Sequence, residues 1–177
     1  MAALGFITLS AHAHADNFFA QLFSKPASAS QKELVAPDCA LATLSDKQTH
    51  TLNEFRGKVL YVDFWASWCG PCAQAFPFLN TTANTFRDRG LQVVGINVDE
   101  HADDANKFLH KHPADFLIVA DAKAQCPKDF AVMGMPSSYL IDRKGVIRYT
   151  HLGFRQSDTE QLKQQIEQLL AEGNQVN

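Results

Sequence analysis

One stretch of chain constrains this protein more than any other. Residues 59–65 are nearly all apolar and rich in β-formers, broken only by Asp63, and they lead within four residues into Cys69-Gly70-Pro71-Cys72. A run of that kind reads as a strand buried on both faces at the centre of a sheet. Residues 73–88, which follow, have helical composition and are closed by Gly90. The two cysteines are therefore predicted at a strand-to-helix junction, on the N-terminal end of the helix.

That position has chemical consequences. The reactive form of cysteine is the thiolate, and the free thiol titrates near about 8.5. A helix N-terminus favours an anion by roughly 0.3–1 kcal/mol, and by about 2 kcal/mol when partly buried. At about 1.36 kcal/mol per unit, the helix can bring a thiol down to roughly 7. Cys69 is thus the candidate nucleophile. Cys72, one turn inward, is the candidate partner that attacks a mixed disulfide and frees the substrate. Pro71 suits the first helical turn, where no N–H partner is needed. Trp68 beside the pair, and Gly70 and Pro71 between its cysteines, are candidate substrate contacts. A zinc half-site or a structural disulfide would use the same spacing. Zinc needs four ligands, usually from a second Cys pair or a His pair with about three to five residues in between, and neither is present at that spacing.

The other elements follow from pattern. Strands are predicted at 39–44, 91–98 and 116–120, and a hairpin at 138–141 and 146–151 with a four-residue connection at 142–145. A helical turn is predicted at 52–55, with helices at 102–110, 123–130 and from a Ser157 or Asp158 cap to about residue 171. Pro77 should kink the long helix. The order predicts an α/β domain, a central mixed β-sheet flanked by helices on both faces. Composition agrees: 46% hydrophobic and 20% charged residues suit a full core. A net charge of −3 without a basic stripe argues against nucleic acid as a partner.

The start of the chain differs. Residues 2–10 are apolar and lead into Ala11-His12-Ala13-His14-Ala15, with small-x-small patterns ending at Ala13 or Ala15. Residues 1–15 are thus expected to be a signal peptide, although without the usual charged start. Residues 16–34 read as a tether, with Phe18, Phe19, Leu22 and Phe23 at helical spacing before a small, Pro-containing stretch. The folded domain is expected at 35–177. Export would place the protein where disulfides persist.

Residues 62–72 resemble the active-site strand and loop of thioredoxin. The wider chain, 35–171, is similar to the exported TlpA/ResA-like thioredoxin-fold family. The resemblance is carried by Ala36-Pro37-Asp38, residues 52–58, Phe76-Pro77, Gly134-Met135-Pro136, and Leu140-Ile141-Asp142 with Lys144-Gly145. Residues 99–121 match the family's central helix-strand insertion. The resemblance implies a thioredoxin fold with a TlpA-like N-terminal extension. It also implies a protein-disulfide oxidoreductase without a cofactor or metal, expected as a monomer.

It further implies roles for particular residues. Asp63 matches a buried carboxyl that shuttles the proton of the second cysteine, and burial should raise its pKa. Many TlpA-like relatives have Asn there. Thioredoxin places a Lys near that carboxyl; the matching position here is Gly95, which leaves Asp63 without a cationic partner. ResA-like members carry Glu three residues after the second cysteine, where this chain has Ala75. Pro136 matches the family's cis-proline, and Met135 the residue whose backbone pairs with an extended substrate. Some TlpA proteins tie the domain's start to a later helix, which implies a structural Cys39–Cys126 disulfide; two buried free thiols are the alternative. Implied partners are disulfides of exported proteins and a DsbD-like membrane electron donor, with cytochrome c maturation as a client pathway.

Two other functions use similar residues. A peroxiredoxin-type thiol peroxidase would need P-x-x-x-T-x-x-C, which Ser67-Trp68 and the missing proline do not supply. A copper-binding chaperone would use Cys69, Cys72 and a Met or His. His101, His110 and His112 gather around the helix predicted at 102–110, but their spacing favours a solvated surface.

Overall fold

The computed structural model describes residues 33–172; the predicted signal and tether helix lie outside the described residues. Seven strands form one sheet: β1 (Ala40–Thr43), β2 (Thr49–Thr51), β3 (Val59–Trp65), β4 (Leu91–Asn97), β5 (Leu117–Ala120), β6 (Ser137–Ile141) and β7 (Ile147–Leu152). The helices are α1 (Gly70–Phe86), α2 (Ala102–Lys111), α3 (Gln125–Asp129) and α4 (Thr159–Glu172). The spatial order is β2-β1-β5-β4-β3-β6-β7. β3, β4 and β5 run parallel, while β1 and β6 join them antiparallel. Mixed pairing and helices on both faces agree with the α/β thioredoxin-type architecture expected.

Every residue of β3 is buried. Its alternating side chains therefore divide two cores. Val59, Tyr61 and Trp65 enter a cluster with Cys72 and Phe76 of α1, Phe108 of α2 and Ile166 of α4. Leu60, Val62 and Phe64 enter the opposite cluster, with Leu52, Phe130 and the Cys39 and Cys126 sulfurs. By this alternation Asp63 belongs to the face that carries α1. The insertion helix α2 is anchored by aromatics, with the Phe108 ring centroid 4.9 Å from that of Trp65 and 5.1 Å from that of Phe76.

Several boundaries differ from the sequence reading for local reasons. β2 was not anticipated: it is three residues long and no more than half-buried, so it carries little apolar pattern. The 123–130 helix shrinks to five residues because Ala124, at φ 50°, starts it in the left-handed region. The last helix begins at Thr159, not under a Ser157 or Asp158 cap. A 3-10 turn, Gln156–Asp158, precedes it, and the Ser157 hydroxyl bonds Asp158 instead. The hairpin connection is five residues, since Val146 leaves β7 to bridge Val35. Asp142 holds this turn by accepting the Lys144 and Val146 N–H groups, with Gly145 at φ +83°.

Candidate active site

β3 ends at Trp65 and α1 starts at Gly70, so four residues make the junction. Cys69 is the N-cap of α1, in extended conformation, and its Sγ accepts the Cys72 N–H at 3.2 Å. This is the position from which a side chain satisfies an orphan helix donor, and on a sulfur it favours negative charge. Cys69 and Cys72 are joined as a disulfide with Cα atoms 5.3 Å apart. Cys72 is fully buried and Cys69 retains 4% exposure. Trp68, by contrast, is 71% exposed, and Gly70 and Pro71 are exposed beside it. The outer surface of the junction is thus an indole and a bare turn, with the sulfurs just beneath.

A buried anchor that the sequence reading missed fixes the junction. The Ser67 N–H and hydroxyl both donate to the Asp99 carboxylate, at 2.9 and 3.0 Å. The Asn97 amide donates to the same carboxylate at 2.8 Å, and the Asp99 N–H donates back to Asn97 Oδ1. Asp99 is 6% exposed. The signal was present as Asn97 and Asp99, two polar residues closing the apolar run of β4.

Asp63 lies on β3 at 2% exposure, with Oδ2 lacking a partner. Burial pushes its carboxyl up to about 8, as expected for a desolvated acid without a cation. The residue beside it on β4 is Gly95. Burial, reinforced by the Asp63 charge, also raises the Tyr61 phenol.

The Met135–Pro136 peptide bond is cis. Pro136 is buried and immediately precedes β6, whose Ser137 pairs with Phe64 near the end of β3. Met135 packs against both cores, including the cluster that holds the Cys69 and Cys72 sulfurs. Ser137 Oγ donates to the Gly134 carbonyl and the Gly153 N–H to the Pro136 carbonyl. Met133, two residues earlier, is 83% exposed. The topology brings this loop to the end of the sheet where Cys69 sits.

Cys39 and Cys126 form a second disulfide, with Cα atoms 5.6 Å apart and a sequence separation of 87. It ties the chain before β1 to α3, five residues before Ala131, which has φ 54°. His101 and His110 are exposed, while His112 packs against Phe108 with ring centroids 4.7 Å apart. Ala75 is buried in α1.

Known proteins agree with this geometry. The Redoxin family profile matches residues 30–166. Thiol-disulfide oxidoreductase ResA of Geobacillus thermodenitrificans is 30% identical over 134 residues, covering 76% of this chain and 75% of that protein. Thioredoxin-like protein YneN of Bacillus subtilis is 33% identical over 136 residues, 75% of this chain and 78% of its own. A crystal structure from Chlorobium tepidum, assigned as thiol:disulfide interchange protein DsbE, superposes with a TM-score of 0.76 at 45% identity, covering 79% of this chain and 98% of that one. With a bonded C-x-x-C pair at a helix N-terminus and these relatives, the chain belongs to the TlpA/ResA-like members of the redoxin family and is a thiol-disulfide oxidoreductase.

Proposed function

We propose that the protein exchanges or reduces disulfides of exported proteins, with Cys69 as the attacking sulfur and Cys72 as the resolving one. The observation that carries this reading is the Cys72 N–H held 3.2 Å from Cys69 Sγ, which stabilises charge on the outer sulfur only. In the reduced enzyme the Cys69 thiolate attacks one sulfur of a client disulfide. A mixed disulfide forms and the client's other sulfur leaves as a thiolate. Cys72 gives its proton to Asp63 and attacks Cys69 Sγ. The Cys69–Cys72 bond forms, the mixed disulfide breaks, and the second client thiolate departs. The client gains two electrons and the enzyme loses two.

Asp63 suits the proton-accepting role because its buried carboxyl, raised to about 8, is matched to a thiol rather than to water. Trp68, Gly70 and Pro71 supply the surface that a client meets. Met135 supplies backbone groups for an added strand: among the described residues neither its N–H nor its C=O has a hydrogen-bond partner. Pro136 presents no N–H to compete there.

On this proposal the protein works outside the cytoplasm, as a monomer. Residues 1–15 act as its export signal and 16–34 as a tether ahead of the catalytic domain. A DsbD-like membrane protein re-reduces it, and c-type cytochrome maturation is its client pathway. The Cys39–Cys126 bond supports an oxidising compartment, and the signal-like start of the sequence supports export. Insulin turnover with a dithiol donor tests the activity, and its persistence in Cys69→Ser would sink the assignment. The reduction potential of the pair sets the direction: near about −270 mV it acts as a reductant, near about −120 mV as an oxidant.

A further inference from the structure

Asp63 is sealed from solvent, so a proton that it takes from Cys72 must leave by some route. The sheet register offers one. Asp63 on β3 is paired with Ser138 on β6, and Ser138 is paired with His151 on β7. These three residues form one row across three antiparallel strands. All three line a cavity of about 40 Å³, together with Tyr61, Asp158 and Leu162.

The groups in this row have unspent hydrogen-bonding capacity. Asp63 Oδ2 is buried without a partner. Ser138 Oγ accepts from the Tyr61 hydroxyl at 3.2 Å, which leaves its own O–H to donate. His151 Nε2 lies 2.7 Å from Gln165 Oε1 on α4. An amide oxygen only accepts, so Nε2 carries the proton and Nδ1 is left as the base of the neutral ring. The cavity is large enough for a water and offers it several polar partners. His151 is half-exposed, so this end of the row reaches solvent. The titratable groups facing the cavity are Asp63 and Tyr61 from β3, His151 from β7 and Asp158 from the turn before α4; α4 adds the apolar Leu162, while its Gln165 meets His151.

Building on the proton-acceptor role proposed for Asp63, we infer that His151 is a positioning and relay residue, which passes the Cys72 proton from Asp63 to solvent through water held in this cavity. With its carboxyl held up at about 8, Asp63 is mostly protonated near neutral pH and first loses that proton through the cavity water and His151; the carboxylate so formed takes the Cys72–SH proton as that sulfur attacks Cys69. The resulting carboxylic acid protonates the cavity water chain, which delivers a proton to His151 Nδ1. The imidazolium then loses a proton to solvent, and Asp63 is again a carboxylate. No electron moves in these steps.

Mixing the reduced full-length protein with 5,5′-dithiobis(2-nitrobenzoate) separates the stages. Attack by Cys69 releases the first coloured thiolate, and resolution by Cys72 releases the second. The substitution His151→Gln retains an amide that can hydrogen-bond Gln165 but cannot take up a proton. It is expected to leave the first phase intact and to slow the second by about tenfold near neutral pH, less than the roughly 100- to 10,000-fold that direct acid–base groups contribute. Added imidazole should restore that second phase. A normal first phase with an unchanged second phase overturns the relay alone, as does a slowed second phase that imidazole does not restore. A wild-type protein without the first phase overturns the thiol-exchange reading itself and the relay with it.

Discussion

Asp63 and Gly95 stand side by side in register on β3 and β4, and no side chain can be added at Gly95 without displacing its neighbours. A Cβ there would lie 2.9 Å from Ile118 Cδ1 and 3.1 Å from Trp65 Nε1. The space a cation would need beside Asp63 is filled by apolar packing. The carboxyl is therefore tuned by desolvation alone, and its value of about 8 has that single cause.

Asp63→Asn should alter the pH dependence of both rate and stability. The resolving step should lose an inflection near pH 8 and slow at neutral pH, measured as second-phase thiolate release. For stability the sign follows from linkage. The folded-state pKa, about 8, lies above the ordinary 3.8. The native protein thus binds more protons than the unfolded chain between those values, and stability falls as pH rises from about 4 to about 8. The Asn variant lacks that decline. In the oxidised form it should gain on the order of a few kcal/mol over wild type at pH 8–9, read by urea unfolding. Parallel pH profiles for the two proteins would remove Asp63 from the mechanism.

Gly95→Ala should destabilise by about 1–3 kcal/mol, the usual cost of forcing volume into a packed core. The contacts named are side-chain atoms of Ile118, Phe116 and Trp65, so the variant should fold with a lowered unfolding midpoint. An unchanged midpoint would mean that this region repacks freely, and that a lysine is missing beside Asp63 for some reason other than space.

What could be read from the sequence divides by physical range. β3 was legible because residues 59–65 are apolar throughout, and the helix N-terminus was legible because Pro71 and the two cysteines mark it. Gly95 was matched to Asp63 through the resemblance to thioredoxin, and the β3–β4 register pairs the two residues. The Asp99 anchor was not read. Its carboxylate meets Ser67 across 32 positions of sequence, and no local periodicity encodes that contact. His151 was passed over for a related reason: its link to Asp63 runs through the register of three strands, and the bulge at Leu140/Ile141 sets part of that register. Short or half-buried elements such as β2 escaped because they bury too little to leave a pattern.

Asp99→Ala should strip the Ser67 N–H and hydroxyl of their acceptor and leave the Asn97 amide unpaired. Leaving buried donors unsatisfied costs about 1–3 kcal/mol, so the unfolding free energy should fall by that amount and the midpoint with it. Ser67 is two residues before Cys69, and a looser junction should also lower the attack rate at Cys69. Stopped-flow first-phase rates check this, and a variant that loses stability with an undiminished first phase would make Asp99 purely structural.

Replacing both Cys39 and Cys126 with Ser should separate stability from chemistry. The bond spans 87 residues, and in the chain-entropy account closing so long a loop contributes about 4–5 kcal/mol. Both side chains sit in the core around Phe64 and Phe130, so their loss also loosens the base of the segment that leads to Pro136. The Cys69–Cys72 pair, the proposed catalytic couple, lies in the other core and should still cycle between dithiol and disulfide. The expected result is a protein with a much lower unfolding midpoint, still able to reduce insulin at a temperature where it stays folded. Turnover abolished in a variant whose far-UV and near-UV circular dichroism remain native would mean that the second disulfide takes part in electron transfer, and its role as a brace would have to be given up.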